Sequence, residues 1–382
     1  MIINVAAGGS IQAAIDASAP GDTIEVQAGA WTNTWLSITH DLNLVAVGGW
    51  VKLTTANGWQ PPDGKAMITE QGNVTISGFD ISGVTVPDAN GAAVRYQGGN
   101  LTLDNINFHH NQNGLLGAAD ASGSISIDNS EIAFNGVGGN GHTHGLYIGN
   151  IASFTLTNSY VHDTSVGHEI KSRAMNNVIT GNRIFDNDSS SSYSIDLPNG
   201  GDATITGNVI QQGPNTQNPA IIAYGEEGAS NAGRTVEIRD NTIINECPGG
   251  YLLLNPGGGS VGLGDNTVFG LTQIPSGSTV PAARPVLDLA PIGFLGQQPP
   301  PSPPPPAEPP PPPSEPTPSP EIPPPPPILS PLEQYHADVL ADFKVWAAIH
   351  VKLATMSKTL AVLNTELTST TVLGIVKGDR WS

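Results

Sequence analysis

A segment that recurs about every two dozen residues constrains the fold of this chain more than any other feature. Seven copies in register read TLDNINF, SIDNSEI, TLTNSYV, VITGNRI, TITGNVI, EIRDNTI and GLGDNTV. The asparagines that they share are Asn105, Asn129, Asn158, Asn182, Asn208, Asn241 and Asn266. Their spacing stays close to two dozen positions, and the widest step separates Asn208 from Asn241. A period of this length is typical of solenoids, in which each repeat forms one coil.

Short strands account for each repeat. Within the copies, apolar and polar residues alternate, which is the pattern of a strand with one buried face. A second short strand follows in the segments GLYIG, HEIKS, YSIDL, IIAYG and YLLLN. Because the repeat contains strands and no helix, the sequence predicts an all-β fold, a parallel β-helix over residues 1–290.

The shared asparagines have a predicted structural role. Coils of a parallel β-helix stack about 4.8 Å apart, so equivalent side chains lie directly above one another. Stacked asparagines can join their amides into a ladder of hydrogen bonds along the stack. We therefore expect the asparagine column to hold the coils together and to take no part in chemistry.

The beginning of the chain predicts a cap for the first coil. Ser10 precedes the apolar-periodic segment IQAAIDAS and is a suitable N-cap for a short helix. Such a helix would cover the open end of the solenoid and protect its exposed strand edge.

This opening segment, SIQAAIDASAPGDTIEVQAGAW, resembles that of the right-handed parallel β-helix, or pectate-lyase-like, superfamily. The resemblance covers residues 4–275 and implies a right-handed solenoid with an N-terminal capping helix. Lyases, epimerases, glycoside hydrolases and inert shafts all use this fold, so the resemblance implies no single activity.

Two further segments follow the predicted solenoid. Residues 297–331 contain 21 of the 34 prolines of the chain, which predicts a polyproline II linker with a reach of about 100 Å. Residues 332–382 contain helix formers with apolar residues in a heptad pattern. The residues of that pattern are Val339, Trp346, Ile349, Leu353, Met356, Leu360, Leu363 and Leu367.

A single amphipathic helix has no apolar partner of its own. We expect residues 339–367 to form a homo-oligomer, with docking on the β domain or another protein, or binding to a membrane surface, as alternatives. The linker is expected to act as a spacer, or to be recognised by a proline-binding domain.

The charge balance excludes some partners. The formal net charge is −19 and the isoelectric point is about 4.6, so no basic surface is available for nucleic acid. No apolar run reaches the ~18 residues of a transmembrane segment. The start, MIINVAAGGSIQ, lacks the features of a signal peptide. We nevertheless expect an extracellular, cell-surface or virion-associated protein, with a cytosolic origin as the alternative.

Cationic residues are concentrated at one place. Between Arg95 and Arg234 the only lysines and arginines are Lys171, Arg173 and Arg183, and two of these lie within GHEIKSR. Ile170 is expected to point into the core, which would place Glu169, Lys171 and Arg173 together on the outer face.

The repeat length predicts the neighbours of Lys171. Tyr147 lies one repeat earlier and Asp196 lies one repeat later. The three side chains should therefore form one outward column with a spacing of about 5 Å. His144 and His168 align just before these strands, and His142 lies in the preceding glycine-rich loop.

Such a surface suits an acidic polysaccharide. β-Elimination or C5 epimerisation of a uronate needs a cation for the carboxylate, a base and an acid. Arg173 or Lys171 would neutralise the carboxylate, Lys171 or a histidine such as His168 would accept the proton, and Tyr147 would protonate the leaving oxygen.

Further residues are expected to shape this surface. We expect His142, His144, Asp196, Glu226 and Glu227 to contact the substrate, the last two because they lie in the insertion GEEGASNAGR.

The carboxylates allow two other interpretations. Glu169 and Asp196 are candidate ligands for Ca²⁺, which prefers oxygen donors. Paired carboxylates from Glu169, Asp196, Glu226 or Glu227 would instead suit glycoside hydrolysis. The same residues could also form only cross-coil ion pairs on a solvated face, worth about 1 kcal/mol or less.

One segment locally resembles a family of polysaccharide lyases and also departs from its pattern. GHEIKSR is similar to a segment of chondroitinase B and alginate lyase-type enzymes, in which a Glu-Ile segment leads to a Lys-Ser pair, here Lys171-Ser172. In the next coil Pro198 stands where that family has an arginine, so Arg173 would have to replace it. The rival interpretation is a structural or adhesive protein, such as a tail spike, that multimerises through its C-terminal helix.

Overall fold

The computed structural model describes residues 1–138 and 143–295. The proline-rich segment, the heptad segment and His142 lie outside this range, and their predicted roles remain predictions. Among the described residues, one helix, α1 (Ile11–Ala17), accompanies 26 strands. The strands are β1 (Ile2–Val5), β2 (Asp22–Thr32), β3 (Leu36–Ile38), β4 (Leu42–Thr54), β5 (Ala66–Ser77), β6 (Phe79–Ser82), β7 (Ala92–Asp104), β8 (Asn107–His109), β9 (Asn113–Gly117), β10 (Asp120–Asp128), β11 (Glu131–Ala133), β12 (Leu146–Ile148), β13 (Ile151–Thr157), β14 (Tyr160–His162), β15 (Ile170–Ser172), β16 (Asn176–Thr180), β17 (Arg183–Phe185), β18 (Ile195–Leu197), β19 (Asp202–Thr206), β20 (Val209–Gln212), β21 (Ala220–Tyr224), β22 (Thr235–Arg239), β23 (Thr242–Asn245), β24 (Tyr251–Leu254), β25 (Ser260–Gly264) and β26 (Thr267–Phe269).

The strands pair in parallel and wind into a solenoid with three faces. The first sheet contains β1, β10, β13, β16, β19, β22 and β25; the second contains β6, β8, β11, β14, β17, β20, β23 and β26; the third contains β3, β9, β12, β15, β18, β21 and β24. The long strands β2, β4, β5 and β7 bend round corners and join the faces into one continuous sheet. The predicted parallel β-helix is confirmed.

Side chains alternate between the interior and the outer surface, as the sequence predicts. In β19, Ala203 and Ile205 are buried, whereas Asp202, Thr204 and Thr206 are more accessible. Equivalent interior residues stack from coil to coil, since Ile179, Ile205 and Ile238 are direct register partners and all are fully buried. This continuous apolar column supplies the main hydrophobic stabilisation of the solenoid.

The asparagine ladder is present, but its register differs from the prediction. The four later asparagines, Asn182, Asn208, Asn241 and Asn266, are buried, and each of the last three accepts the backbone N–H of the one before it at 2.9–3.1 Å. In the earlier coils Ser130 and Ser159 take that ladder position.

Asn105, Asn129 and Asn158 instead lie one position earlier, at a corner with φ of 47° to 49°. Gly181 and Gly207 take this left-handed corner in the later coils, with φ of 70° and 67°. Asparagine tolerates the left-handed conformation of the corner and also suits the ladder. Aligning the repeats on their shared asparagine therefore treated two adjacent structural positions as one.

Removing a ladder asparagine is expected to destabilise the fold. Asn208→Ala leaves the buried N–H of Asn182 and the carbonyl of Ile179 without their partners, which should lower the free energy of unfolding by about 2–4 kcal/mol. Urea unfolding measures this loss. Asn176→Ala is the control, because Asn176 is exposed and makes one hydrogen bond to Ala152 O. A loss as small as that of the control would mean that the ladder contributes little.

The predicted N-terminal cap is confirmed. Ser10 accepts a hydrogen bond from Ala13 N at 3.1 Å, and Ile11, Ala14 and Ile15 bury the inner side of α1. Gln12 exchanges two hydrogen bonds with the backbone of Ser37, in the first strand of the third sheet. The helix thereby supplies partners to the first coil, whose edge has no coil below it.

After β26 the chain doubles back along the outside of the solenoid, a feature that the sequence did not predict. Arg183 donates to Asp288 O at 2.9 Å, Ile292 N donates to Glu131 at 2.6 Å, and Leu295 N donates to Asn105 at 2.8 Å. The contacts move to earlier coils as the chain advances. No helix in the described part of the chain is long and apolar enough to span a membrane.

Candidate functional site

The predicted column on the third sheet is confirmed. Tyr147 pairs in register with Lys171, and Lys171 pairs with Asp196. The flanking Ile170 and Ile195 are fully buried in the core, so the three polar side chains point outward from the sheet. The coil period therefore brings together groups that lie a full repeat apart in the sequence.

The column is not solvated, contrary to the expectation of an exposed face. Lys171 and Arg173 are each only 7% exposed, and Asp196 is fully buried. A loop between β21 and β22, residues 225–234, folds over them. Glu227 N donates to Pro198 O at 3.2 Å, and Asn231 donates to the carbonyls of Arg173 and Ala174 at 3.1 Å.

Both cations contact Glu227. Lys171 Nζ lies 2.7 Å from Glu227 Oε1 and 3.4 Å from Asp196 Oδ2. Arg173 Nη2 lies 2.7 Å from Glu227 Oε2, and its other nitrogens donate to Tyr147 Oη at 2.9 Å and to Asn199 Oδ1 at 2.6 Å. The ion pairs anticipated from the sequence exist, but in a buried site where breaking one is far more costly than at the surface.

These contacts decide the protonation of Lys171. Burial alone would lower the pKa of its ammonium group, but the carboxylates of Asp196 and Glu227 outweigh burial and raise that pKa. Lys171 is therefore a cation, suited to binding negative charge and not to accepting a proton.

Asp196 is the most unusual group in the site. Among the described residues, neither of its carboxylate oxygens accepts a well-aligned hydrogen bond, although His168 Nε2 lies 3.2 Å from Oδ2. Burial raises the pKa of Asp196, Lys171 opposes this rise, and the nearby Glu226 and Glu227 add to it. A buried carboxylate with unsatisfied oxygens is costly, and functional sites commonly contain such groups.

Three carboxylates converge here. Asp196, Glu226 and Glu227 each offer an oxygen within 4.8 Å of the others. Burial raises the pKa of Glu226, and repulsion from Glu227 contributes, while a hydrogen bond from Tyr193 and the charge of Lys171 act against the rise. The cluster carries more potential negative charge than Lys171 and Arg173 neutralise.

The histidines form a stack beside the column. The ring centroids of His144 and His168 are 5.0 Å apart, and those of His168 and Tyr193 are 5.2 Å apart. His168 Nδ1 accepts the backbone N–H of Tyr193 at 3.2 Å, which leaves the proton on Nε2, facing Asp196. Burial holds the pKa of His168 well below its usual value, and Lys171 lowers it further, so the ring is neutral. The neutral ring thus places an N–H 3.2 Å from Asp196 Oδ2 without adding a charge to the site.

Glu169 does not belong to this site, which corrects the expectation that it shares the outer face with Lys171. Its carboxylate is fully buried at the preceding corner and accepts hydrogen bonds from Thr164 N at 3.0 Å and Thr164 Oγ1 at 2.6 Å. Burial, together with Asp186, raises its pKa to about 8. The expectation assumed that side chains two residues apart in a strand point to the same side. Glu169 does not follow this alternation, because β15 begins only at Ile170.

Two members of the site were not predicted from the sequence. Tyr193 lies one coil period after His168, and Asn199 lies one coil period after Arg173, so the repeat length would have identified both. Asn199 has no acidic or basic group, which is why a search for acids and bases in the sequence did not identify it.

Comparison with known proteins relates this chain to solved structures through its fold. No protein-family model matches the sequence, and no curated protein matches it. The structure is similar to the crystal structure of pectate lyase Pel9A, with a TM-score of 0.51 and 18% sequence identity over 74% of this chain and 78% of that chain. The chain therefore has the right-handed, pectate-lyase-like parallel β-helix fold.

Proposed function

We propose that the protein is a carbohydrate-active β-helix that binds an acidic polysaccharide on the third sheet and cleaves it by β-elimination. The observation that carries the proposal is the arrangement of Lys171 and Arg173 around a single carboxylate, that of Glu227. A uronate carboxylate in the same position would meet the same two cations. The likeness to a pectate lyase fold supports the proposal.

The remaining groups fit the other requirements of the reaction. Asp196 is the proton acceptor, because its raised pKa makes it a stronger base than an ordinary carboxylate and its oxygens lack aligned donors among the described residues. Tyr147 Oη accepts a hydrogen bond from Arg173 and keeps its own proton for the leaving oxygen. Lys171 and Arg173 stabilise the negative charge that develops when the C5 proton leaves. Epimerisation would share this first step.

The acidic cluster suits a divalent cation such as Ca²⁺. Asp196, Glu226 and Glu227 each offer one oxygen of the kind that Ca²⁺ prefers, and the second oxygen of Asp196 is left to accept the proton. Bound Ca²⁺ would supply positive charge next to the substrate carboxylate. Glu169, the other predicted ligand, contacts Thr164 and takes no part.

Glycoside hydrolysis is the second candidate, favoured by the separation of the carboxylates. Retaining glycosidases hold two carboxyl groups about 5–5.5 Å apart. The closest oxygens of Asp196 and Glu226 lie within 4.8 Å of each other, and burial raises the pKa of both groups, which suits either one as the acid. This pair could therefore serve as nucleophile and acid.

A panel of polyuronates tests the proposal. The full chain is incubated with pectate, alginate and chondroitin, and the absorbance of unsaturated products and the reducing ends are followed. We expect both signals, with a loss of at least ~100-fold in Lys171→Ala and Arg173→Ala. Reducing ends without that absorbance would indicate the hydrolase. Tight glycan binding without turnover would indicate the adhesive protein, and no change in either variant would exclude this site.

A further inference from the structure

Glu227 belongs to two sets of partners at once. Its oxygens contact Lys171 and Arg173 at 2.7 Å each, and it also completes the carboxylate cluster with Asp196 and Glu226. Its backbone N–H donates to Pro198 O at 3.2 Å, which anchors this part of the loop while the side chain contacts both sets.

The two sets compete for the same carboxylate. A cation bound among Asp196, Glu226 and Glu227 would attract the Glu227 carboxylate and weaken its ion pairs with Lys171 and Arg173. The lysine and arginine would then need another anion, because an uncompensated charge in a buried site is costly.

We propose that Glu227 is an exchangeable internal ligand that occupies the place of a substrate carboxylate until a divalent cation draws it away. Cation binding and anion binding are then positively coupled, and by thermodynamic linkage each strengthens the other by the same factor. The inference rests on the proposed function only for the identity of the anion. It assigns Glu227 a role in controlling access to the cationic pair, in addition to holding metal.

The first test requires no glycan. Calorimetric titration of the full-length protein with CaCl₂ is expected to show at least about fivefold tighter binding to Lys171→Met than to the wild type, because Glu227 loses a competing ammonium. Lys52→Met is the matched control, since Lys52 is exposed and 4.0 Å from Asp80, far from the site in sequence and on the second sheet. Equal or weaker Ca²⁺ binding by Lys171→Met than by Lys52→Met would overturn the proposal, as would a wild type that binds no Ca²⁺.

Circular dichroism establishes that each variant is folded. If Lys171→Met does not fold, Arg173→Met provides the same test, with Arg239→Met as control because Arg239 pairs with Glu237 on the exposed first sheet. Tighter Ca²⁺ binding than in that control would support the proposal, and equal or weaker binding would overturn it.

The second test measures the coupling itself with trigalacturonate as the probe. Saturating Ca²⁺ is expected to tighten its binding to the wild type at least about fivefold, whereas Glu227→Gln should bind it with an affinity that does not depend on Ca²⁺. Binding that is independent of Ca²⁺ in the wild type would overturn the coupling and leave the proposed function intact. No trigalacturonate binding, with Ca²⁺ affinity still raised by Lys171→Met, would overturn the proposed ligand and leave the role of Glu227 intact.

Discussion

Asp196→Asn is expected to reduce the kcat/KM for polyuronate cleavage by about 10²–10⁴-fold, the usual contribution of a general base. The amide has the same shape as the carboxylate but cannot accept the C5 proton. Circular dichroism checks the fold of this variant, because the amide keeps the shape of the carboxylate but gives up its charge 3.4 Å from the buried ammonium of Lys171. Initial rates from the unsaturated-product absorbance measure the loss.

The pH dependence separates catalysis from positioning. A base must be ionised to act, so wild-type activity should fall as the pH drops through the raised pKa of Asp196. The pH profile of Asp196→Asn should lack this decrease at low pH, and the rate should be low at every pH. Glu237→Gln, a change on the exposed first sheet, is the control and should keep both. A rate close to that of the wild type in Asp196→Asn would assign the proton acceptor to another residue.

Glu70→Gln is expected to stabilise the protein increasingly as the pH rises. Glu70 lies in β5 between Ile38 and Tyr96 in register, and it points into the solenoid interior. It is fully buried, and neither oxygen has a hydrogen-bond partner among the described residues. Burial raises its pKa from 4.5 to about 9.

The direction of the effect follows from proton linkage. Below pH 4.5 the carboxyl is protonated in both the folded and the unfolded chain, so it costs nothing extra. Between pH 4.5 and about 9 the unfolded chain ionises while the folded chain retains the proton, and stability falls by up to about 1.4 kcal/mol per pH unit. Glutamine does not titrate, so the variant should exceed the wild type by about 3 kcal/mol at pH 7.

Denaturant unfolding at pH 4.5, 7 and 8.5 measures the difference. Comparison with the wild type isolates Glu70 from other buried acids, such as Glu169, that also titrate in this range. Glu25→Gln is the control, because Glu25 lies on the outer side of β2 and its replacement should change stability by less than about 0.5 kcal/mol at any pH. A difference that does not grow with pH would mean that Glu70 is ionised or solvated in the folded protein.

Much of the fold could be predicted because a solenoid is periodic. Alternation in each repeat predicted which residues face the core, and the repeat length predicted the register of Tyr147, Lys171 and Asp196. The error in the asparagine ladder arose where one residue type suits two neighbouring positions. Ser130 and Ser159 in the ladder could not be recognised from the asparagine pattern.

The site itself was predicted less completely. The predicted register placed Lys171 and Asp196 side by side, but it did not predict the loop that covers them. Glu227 lies 56 residues from Lys171 and reaches it only because an insertion of irregular structure returns to the third sheet. A loop insertion of this kind does not recur from coil to coil, so the repeat pattern cannot predict which residues it contacts.

The amino-acid sequence by itself determined the coil length, the inward and outward faces of each strand, and the helix that closes the first coil. These features follow from the alternation of apolar and polar residues within each strand and from the stacking of equivalent residues in successive coils. Both patterns are visible in the sequence. Tertiary structure alone decided that Lys171 and Arg173 are buried cations bound to Glu227, and that Glu169 lies apart from them. Burial and charge pairing depend on which distant segments meet, and that sets the protonation on which the chemistry depends.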